Sequence, residues 1–175
     1  MDCLKPRWEP PKTDCDSVDR FLVDLGRVED VCEAPAAHPE YERLKRFVCS
    51  GDVDAAADVP WNGVIAFAAY YLIFHKRDLE TARKAIELLE SRMLDGEEEV
   101  MLKMLQVAYK AAADPPCGSP ELLKRYVEKV RSMPEPTERV GLLKTLVLMS
   151  LTGQINAEEL KDKIERAFKK TRNHV

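Results

Sequence analysis

The chain has little glycine and no long hydrophobic run, and both shortages limit what it can be. Only seven of its 175 residues are glycine and they do not cluster, so a glycine-rich loop that cradles phosphate is not expected. The most apolar stretch, residues 64–74, has 11 residues, whereas a membrane-spanning helix needs about 20. The first residues contain no apolar stretch of signal-peptide length. We therefore expect a cytoplasmic protein without a membrane segment.

Familiar catalytic signatures are also missing. The patterns G-x-x-x-x-G-K, G-x-G-x-x-G, G-x-S-x-G and H-E-x-x-H do not occur. Two cysteine–histidine pairs are candidates for a nucleophile and its base, Cys32 with His38 and Cys49 with His75, but the spacing favours neither pair. The side chains of the acidic run Glu97–Glu99 would point in different directions around a helix, so they cannot converge on one metal ion. We assign no catalytic, cofactor-binding or metal-binding residue, and the missing motifs argue against an enzyme.

Amide side chains are scarce, with three Asn and two Gln against 31 acidic and 27 basic residues. Amide side chains hydrolyse on heating, and networks of ion pairs stabilise a protein more at high temperature. This composition is therefore typical of a thermophile. The cysteines include no C-x-x-C pair and do not favour a zinc site. An ordinary cytosol would keep these thiols reduced, whereas the cytosol of a hyperthermophile allows a disulfide. The sequence does not say which cysteines, if any, are bonded among Cys3, Cys15, Cys32, Cys49 and Cys117.

Charge is unevenly distributed along the chain. Residues 1–60 carry 8 basic and 14 acidic side chains, whereas residues 119–175 carry 12 basic and 8 acidic ones. The basic segments contain interleaved glutamates, and the four cations of residues 124–131 do not all share one helix face. Nucleic-acid binding needs several cations on one face. The basic C-terminal third therefore makes nucleic acid an alternative partner rather than the first one.

Prolines, glycines and polar caps divide the chain into helices. Residues 1–16 contain three prolines, so we expect an extended N-terminal arm there. Residues 17–175 repeat apolar positions three and four apart, as amphipathic helices do, and contain no convincing strand. Eight to nine helices joined by short turns favour antiparallel neighbours. We expect a single all-α domain of antiparallel helical hairpins, stacked as an irregular bundle or a short α-solenoid.

Several helix ends can be predicted from single residues. Asp52, Asp78 and Thr137 are suited to cap the helices that follow them, and Ser119 with Pro120 suits another helix start. The apolar stretch over residues 64–74 predicts a buried central helix. The helix after Asp78 is predicted to bury a stripe made of Leu79, Ala82, Ile86, Leu89 and Met93.

Two junctions, Ser50–Ala56 and Lys76–Ala82, resemble the turn between the helices of a tetratricopeptide repeat. The segment from Gly63 to Leu94 is most similar, with Ala82 and Ile86 where the family has a small and a bulky residue. The two junctions lie 26 residues apart, against a family period of about 34, and the resemblance covers about a third of the chain. It implies stacked hairpins that bind a peptide or protein in a groove, without catalysis.

These observations favour a non-catalytic helical protein–protein interaction module or adaptor. Stacked hairpins leave a surface that can bind peptides or other helices, so we expect a protein partner. The alternatives are a nucleic-acid-associated accessory protein that uses the basic C-terminal third, and a small helical enzyme without familiar motifs. A homo-oligomer is compatible with the sequence. No particular residue is assigned to partner binding.

Overall fold

The computed structural model describes residues 50–57, 62–116 and 118–153, together with Arg43, Arg46, Phe47 and Glu158. These residues contain helices and no β-strand, which confirms the all-α class for this part of the chain. A π-helical segment, Leu72–Lys76, continues the second helix. The six α-helices are α1 (Val53–Ala57), α2 (Asn62–Tyr71), α3 (Leu79–Glu90), α4 (Gly96–Ala113), α5 (Pro120–Arg131) and α6 (Glu138–Thr152).

Some predictions lie outside the described residues. They are the N-terminal arm over residues 1–16, the helices before residue 43, most of the last helix, and all five cysteines. The total of eight to nine helices and the single domain over residues 17–175 stay predictions for the same reason. Within the described residues, no helix has the length and apolar character needed to cross a membrane.

The helix starts follow the predicted caps. Thr137 Oγ1 accepts a hydrogen bond from the Val140 N–H at 3.3 Å and begins α6. Ser119 directly precedes Pro120 at the start of α5, as predicted, but its side chain makes no capping hydrogen bond. Gly153 ends α6 with a φ of 69°, a left-handed conformation that favours glycine. Local chemistry therefore sets most helix boundaries.

Asp78 caps α3 with both carboxylate oxygens. Oδ1 accepts from the Thr81 N–H at 3.1 Å, and Oδ2 accepts from the Thr81 hydroxyl at 2.6 Å. Burial raises the pKa of Asp78, but the two hydrogen bonds and the charges of Lys76 and Lys84 outweigh it and hold the pKa below its ordinary value of 3.8. The ionised form of Asp78 therefore stabilises the start of α3.

The core is built around α4, which contacts α2, α3, α5 and α6. Each helix from α2 to α5 also contacts the next one along the chain. Helix α2 with its π-helical segment is buried over ten consecutive residues, from Ile65 to Phe74, which confirms the predicted buried central helix. Helix α6 is buried on nearly every side. The Tyr70 hydroxyl and Ser150 Oγ, 2.9 Å apart, satisfy each other inside this core and link α2 to α6.

Lys144 is a cation in the middle of the mostly buried helix α6, and only 13 % of its side chain is exposed. Its Nζ donates to the backbone carbonyls of Arg131 and Met133, both at 2.8 Å, and lies 3.8 Å from the Glu135 carboxylate. Helix ends leave carbonyls without a partner inside the helix, and a cation is favourable there. Lys144 therefore closes the C-terminal end of α5 from the neighbouring helix.

Candidate protein-docking surface

The loop between α3 and α4 is fixed at both ends by local hydrogen bonds. At the end of α3, the Ser91 hydroxyl donates to the Leu88 carbonyl at 2.6 Å. At the start of α4, Asp95 Oδ1 accepts from the Glu98 N–H at 2.8 Å, while Glu98 Oε1 accepts from the Asp95 N–H at 3.2 Å. This reciprocal pair is a capping box, so α4 begins at Gly96. Four residues, Ser91 to Leu94, are left between α3 and this cap.

Arg92 ties this loop to two other helices. Its Nη1 donates to Asn62 Oδ1 at 2.8 Å, and its Nη2 donates to the carbonyls of Ala57 at 3.0 Å and Ala56 at 3.3 Å. The two carbonyls belong to the C-terminal end of α1, where a cation is favourable. Burial lowers the pKa of Arg92, and the charge of Glu98 opposes this effect. One guanidinium therefore connects the loop to α1 and α2.

Asn62 extends the same network to α4. Its Nδ2 donates to Glu98 Oε1 at 3.2 Å, the oxygen that also accepts from the Asp95 N–H. The start of α2, the start of α4 and the Arg92 guanidinium thus share one set of hydrogen bonds. Because these contacts hold the residues on either side of it, Met93 is presented from an anchored loop.

Met93 is the large hydrophobic side chain that the described part of the chain leaves exposed, with 99 % of its surface accessible. The prediction that Met93 belongs to the buried stripe of α3 is wrong. The helix ends at Glu90, so a residue three positions later no longer follows the helical spacing that buries Ile86 and Leu89. Its thioether instead projects into solvent beside a groove.

The groove lies between the end of α3, the loop and the outer side of α4, with a volume of about 330 Å³. Gln106 Nε2 donates to Glu90 Oε2 at 3.1 Å and connects the two helices within it. Two leucines supply its apolar surface. We call this groove together with Met93 the α3–α4 surface; the groove is lined by Glu90, Arg92, Leu94, Glu99, Leu102, Lys103 and Gln106.

The structure separates the three acidic residues of the run Glu97–Glu99, as their spacing predicts. Glu97 Oε1 accepts from the Thr137 hydroxyl at 2.8 Å, Glu98 belongs to the capping box, and Glu99 lines the groove. Among the described residues, no group of three or more His, Cys, Asp or Glu side chains is placed to hold a metal ion. These glutamates therefore serve helix starts and the groove.

The other candidates of the sequence analysis are either outside the described residues or exposed to solvent. The side chain of His75 and the residues Cys32, His38 and Cys49 lie outside what the structure describes. The four cations of α5, at positions 124, 125, 129 and 131, are all exposed, and Lys124 Nζ lies 3.9 Å from the Glu128 carboxylate. Nucleic-acid binding and catalysis by a small helical enzyme stay hypotheses without a specific contact that favours either.

No family model, curated protein or solved structure matches this chain.

Proposed function

We propose that this chain is a non-catalytic helical interaction module that docks a protein partner on the α3–α4 surface. The observation that carries the proposal is Met93, a large hydrophobic side chain fully exposed beside a groove. Burying such a side chain in a partner contributes about 1.5–3 kcal/mol. Methionine is also unbranched and adaptable, which suits it to binding surfaces.

The hydrogen bonds around the loop support a binding role. Arg92 and the capping box hold the residues on both sides of Met93, so the loop backbone loses less conformational entropy when a partner covers this side chain. The two described groups with shifted pKa values, Asp78 and Arg92, both bind helix ends. Their shifts have a structural cause that requires no catalytic role.

The way in which the helices stack on one another is part of the same proposal. We infer that the helices form stacked antiparallel hairpins of tetratricopeptide type, with α2 and α3 as the pair that most resembles the family. Support comes from the contacts between successive helices and from the tight turn at Arg77 and Asp78 that joins this pair. In such a stack, the connections and outer helix faces are available to a partner.

A site-specific photo-cross-linker tests the proposal. A benzophenone amino acid at position 93 should give a discrete protein adduct in the native cell lysate, because the side chain would lie in the interface. The same amino acid at position 124, on the exposed face of α5, is the matched control and should give no such band.

The variant Met93→Glu should lower affinity for the cross-linked protein about tenfold or more, since a carboxylate would have to be desolvated in the interface. Lys124→Gln changes the net charge by the same amount and should leave binding unchanged. The absence of an adduct at position 93, or equal binding of the cross-linked protein by the two variants in a quantitative pull-down, would rule out this surface as the docking site.

A further inference from the structure

We propose that the partner of the α3–α4 surface is a second copy of this chain, related to the first by a two-fold axis. This inference rests on the proposed function and specifies its partner. In a two-fold contact the same patch is used on both copies, so the patch has to be complementary to itself in shape and in charge. The α3–α4 surface meets both conditions.

Shape complementarity comes from the position of Met93 next to the groove. Its two neighbours in the chain, Arg92 and Leu94, both line the groove while Met93 itself is fully exposed, so a projecting side chain and a hollow share one short segment of backbone. When two such surfaces meet about a two-fold axis, Met93 of each copy can enter the groove of the other. Leu94 and Leu102 supply the apolar lining that a thioether side chain requires.

Charge complementarity comes from a balanced set of groups. The groove contains two carboxylates and two cations, whereas a patch of one sign would repel its own copy. Glu90 accepts a hydrogen bond from Gln106, and Arg92 binds the loop network. Glu99 and Lys103 are exposed and have no ion-pair partner among the described residues. They are therefore the charges that can pair between copies.

The groove is small, which sets the expected strength of the contact. A volume of about 330 Å³ is at the lower end of the range for sites that enclose small organic ligands, about 300–1,000 Å³. One apolar anchor per copy on a mixed-charge surface is typical of weak, transient association. We expect a reversible dimer whose population rises with protein concentration in the micromolar range.

Two single charge reversals test the proposal. Glu99→Lys gives the surface an excess of positive charge, and Lys103→Glu gives it an excess of negative charge. Each purified variant should dimerise about tenfold more weakly than the original chain in sedimentation velocity, because the repulsion occurs twice in a two-fold contact. An equimolar mixture of the two variants, one of them uniformly labelled with nitrogen-15, should form a heterodimer, seen by its intermediate mass in native mass spectrometry.

The control is Lys124→Glu, a charge reversal on the exposed face of α5, which should dimerise like the original chain. Circular dichroism at 222 nm checks that all variants are folded. A chain that sediments as a monomer up to about 1 mM, or a mixture that forms no heterodimer, would overturn the two-fold contact.

The cross-linking result separates this failure from failure of the proposed function. An adduct at position 93 of twice the chain's 19.9 kDa mass supports the second copy as partner. An adduct of any other mass, with a monomeric purified chain, overturns self-association and leaves the docking surface in place. No adduct of either kind overturns both.

Discussion

Replacement of Arg92 by methionine tests whether one guanidinium holds the loop between α3 and α4. Arg92→Met keeps a long apolar stem and removes donors that reach Asn62 Oδ1 at 2.8 Å and the carbonyls of Ala57 and Ala56 at 3.0 and 3.3 Å. Hydrogen bonds to charged groups contribute about 1.5–3 kcal/mol each when buried. Arg92 is only half-buried and water can replace it at these acceptors, so we expect a loss of about 2 kcal/mol.

For a chain of this length, a loss of about 2 kcal/mol lowers the melting temperature by about 4–8 °C. Thermal unfolding followed by circular dichroism measures this shift. Arg83→Met is the matched control, because Arg83 makes an ion pair with Glu87 at 3.2 Å while both side chains are more than half exposed. Exposed pairs of this kind contribute about 0.3–0.5 kcal/mol.

Arg92→Lys refines the test. It keeps the charge but loses the planar fork that reaches acceptors on two helices, so its stability should fall between the original chain and Arg92→Met. Amide hydrogen exchange in residues 91–95 should be fastest in Arg92→Met, since the loop loses its attachment to α1 and α2. Equal melting temperatures for Arg92→Met and Arg83→Met would refute the role assigned to Arg92.

Two further changes probe the helix ends. Lys144→Met leaves the two carbonyls at the end of α5 without their cation, so it should lower the free energy of unfolding by about 2–4 kcal/mol in urea titrations. The control Lys124→Met, on the exposed face of α5, should lower the free energy of unfolding by less than about 0.5 kcal/mol. Asp78→Asn tests whether the stability depends on pH through Asp78. The folded-state pKa of Asp78 lies below 3.8, so its carboxylate stabilises the fold above that pH. This contribution is lost as the pH falls through the folded-state pKa. The stability difference between the original chain and Asp78→Asn should therefore be largest near pH 7 and shrink below about pH 4; a difference independent of pH would contradict the assigned ionisation.

The fold class and most helix starts could be predicted because their causes lie close together in sequence. Asp78 binds a backbone N–H three residues later, and so does Thr137. Gly153 ends α6 through its own backbone conformation. The capping box of Asp95 and Glu98 was also present as a local pattern. Because that pattern starts α4 at Gly96, it limits how far α3 can extend, but it does not by itself place the end of α3 at Glu90.

The candidate site was not predicted as a site, because its contacts join distant parts of the chain. Arg92 reaches Asn62 across 30 positions and Ala57 across 35. Neither the spacing of apolar residues nor a cap next to Arg92 identifies these acceptors. The exposure of Met93 depends equally on where α3 ends and on what the neighbouring helices cover. The spacing of apolar residues reports structure over a few helical turns, and these contacts join residues that are much farther apart in the sequence.

The amino-acid sequence was sufficient to predict that the described residues are helical, where several of the helices begin, and that residues 65–74 are buried. Hydrogen bonds within one turn and the 3.6-residue period are sufficient for these properties. The tertiary structure alone decided that Tyr70 meets Ser150 across 80 positions, that Lys144 closes the end of another helix, and that Met93 is exposed beside a groove. Such contacts depend on how the helices pack, and helix packing brings together residues that no local pattern relates.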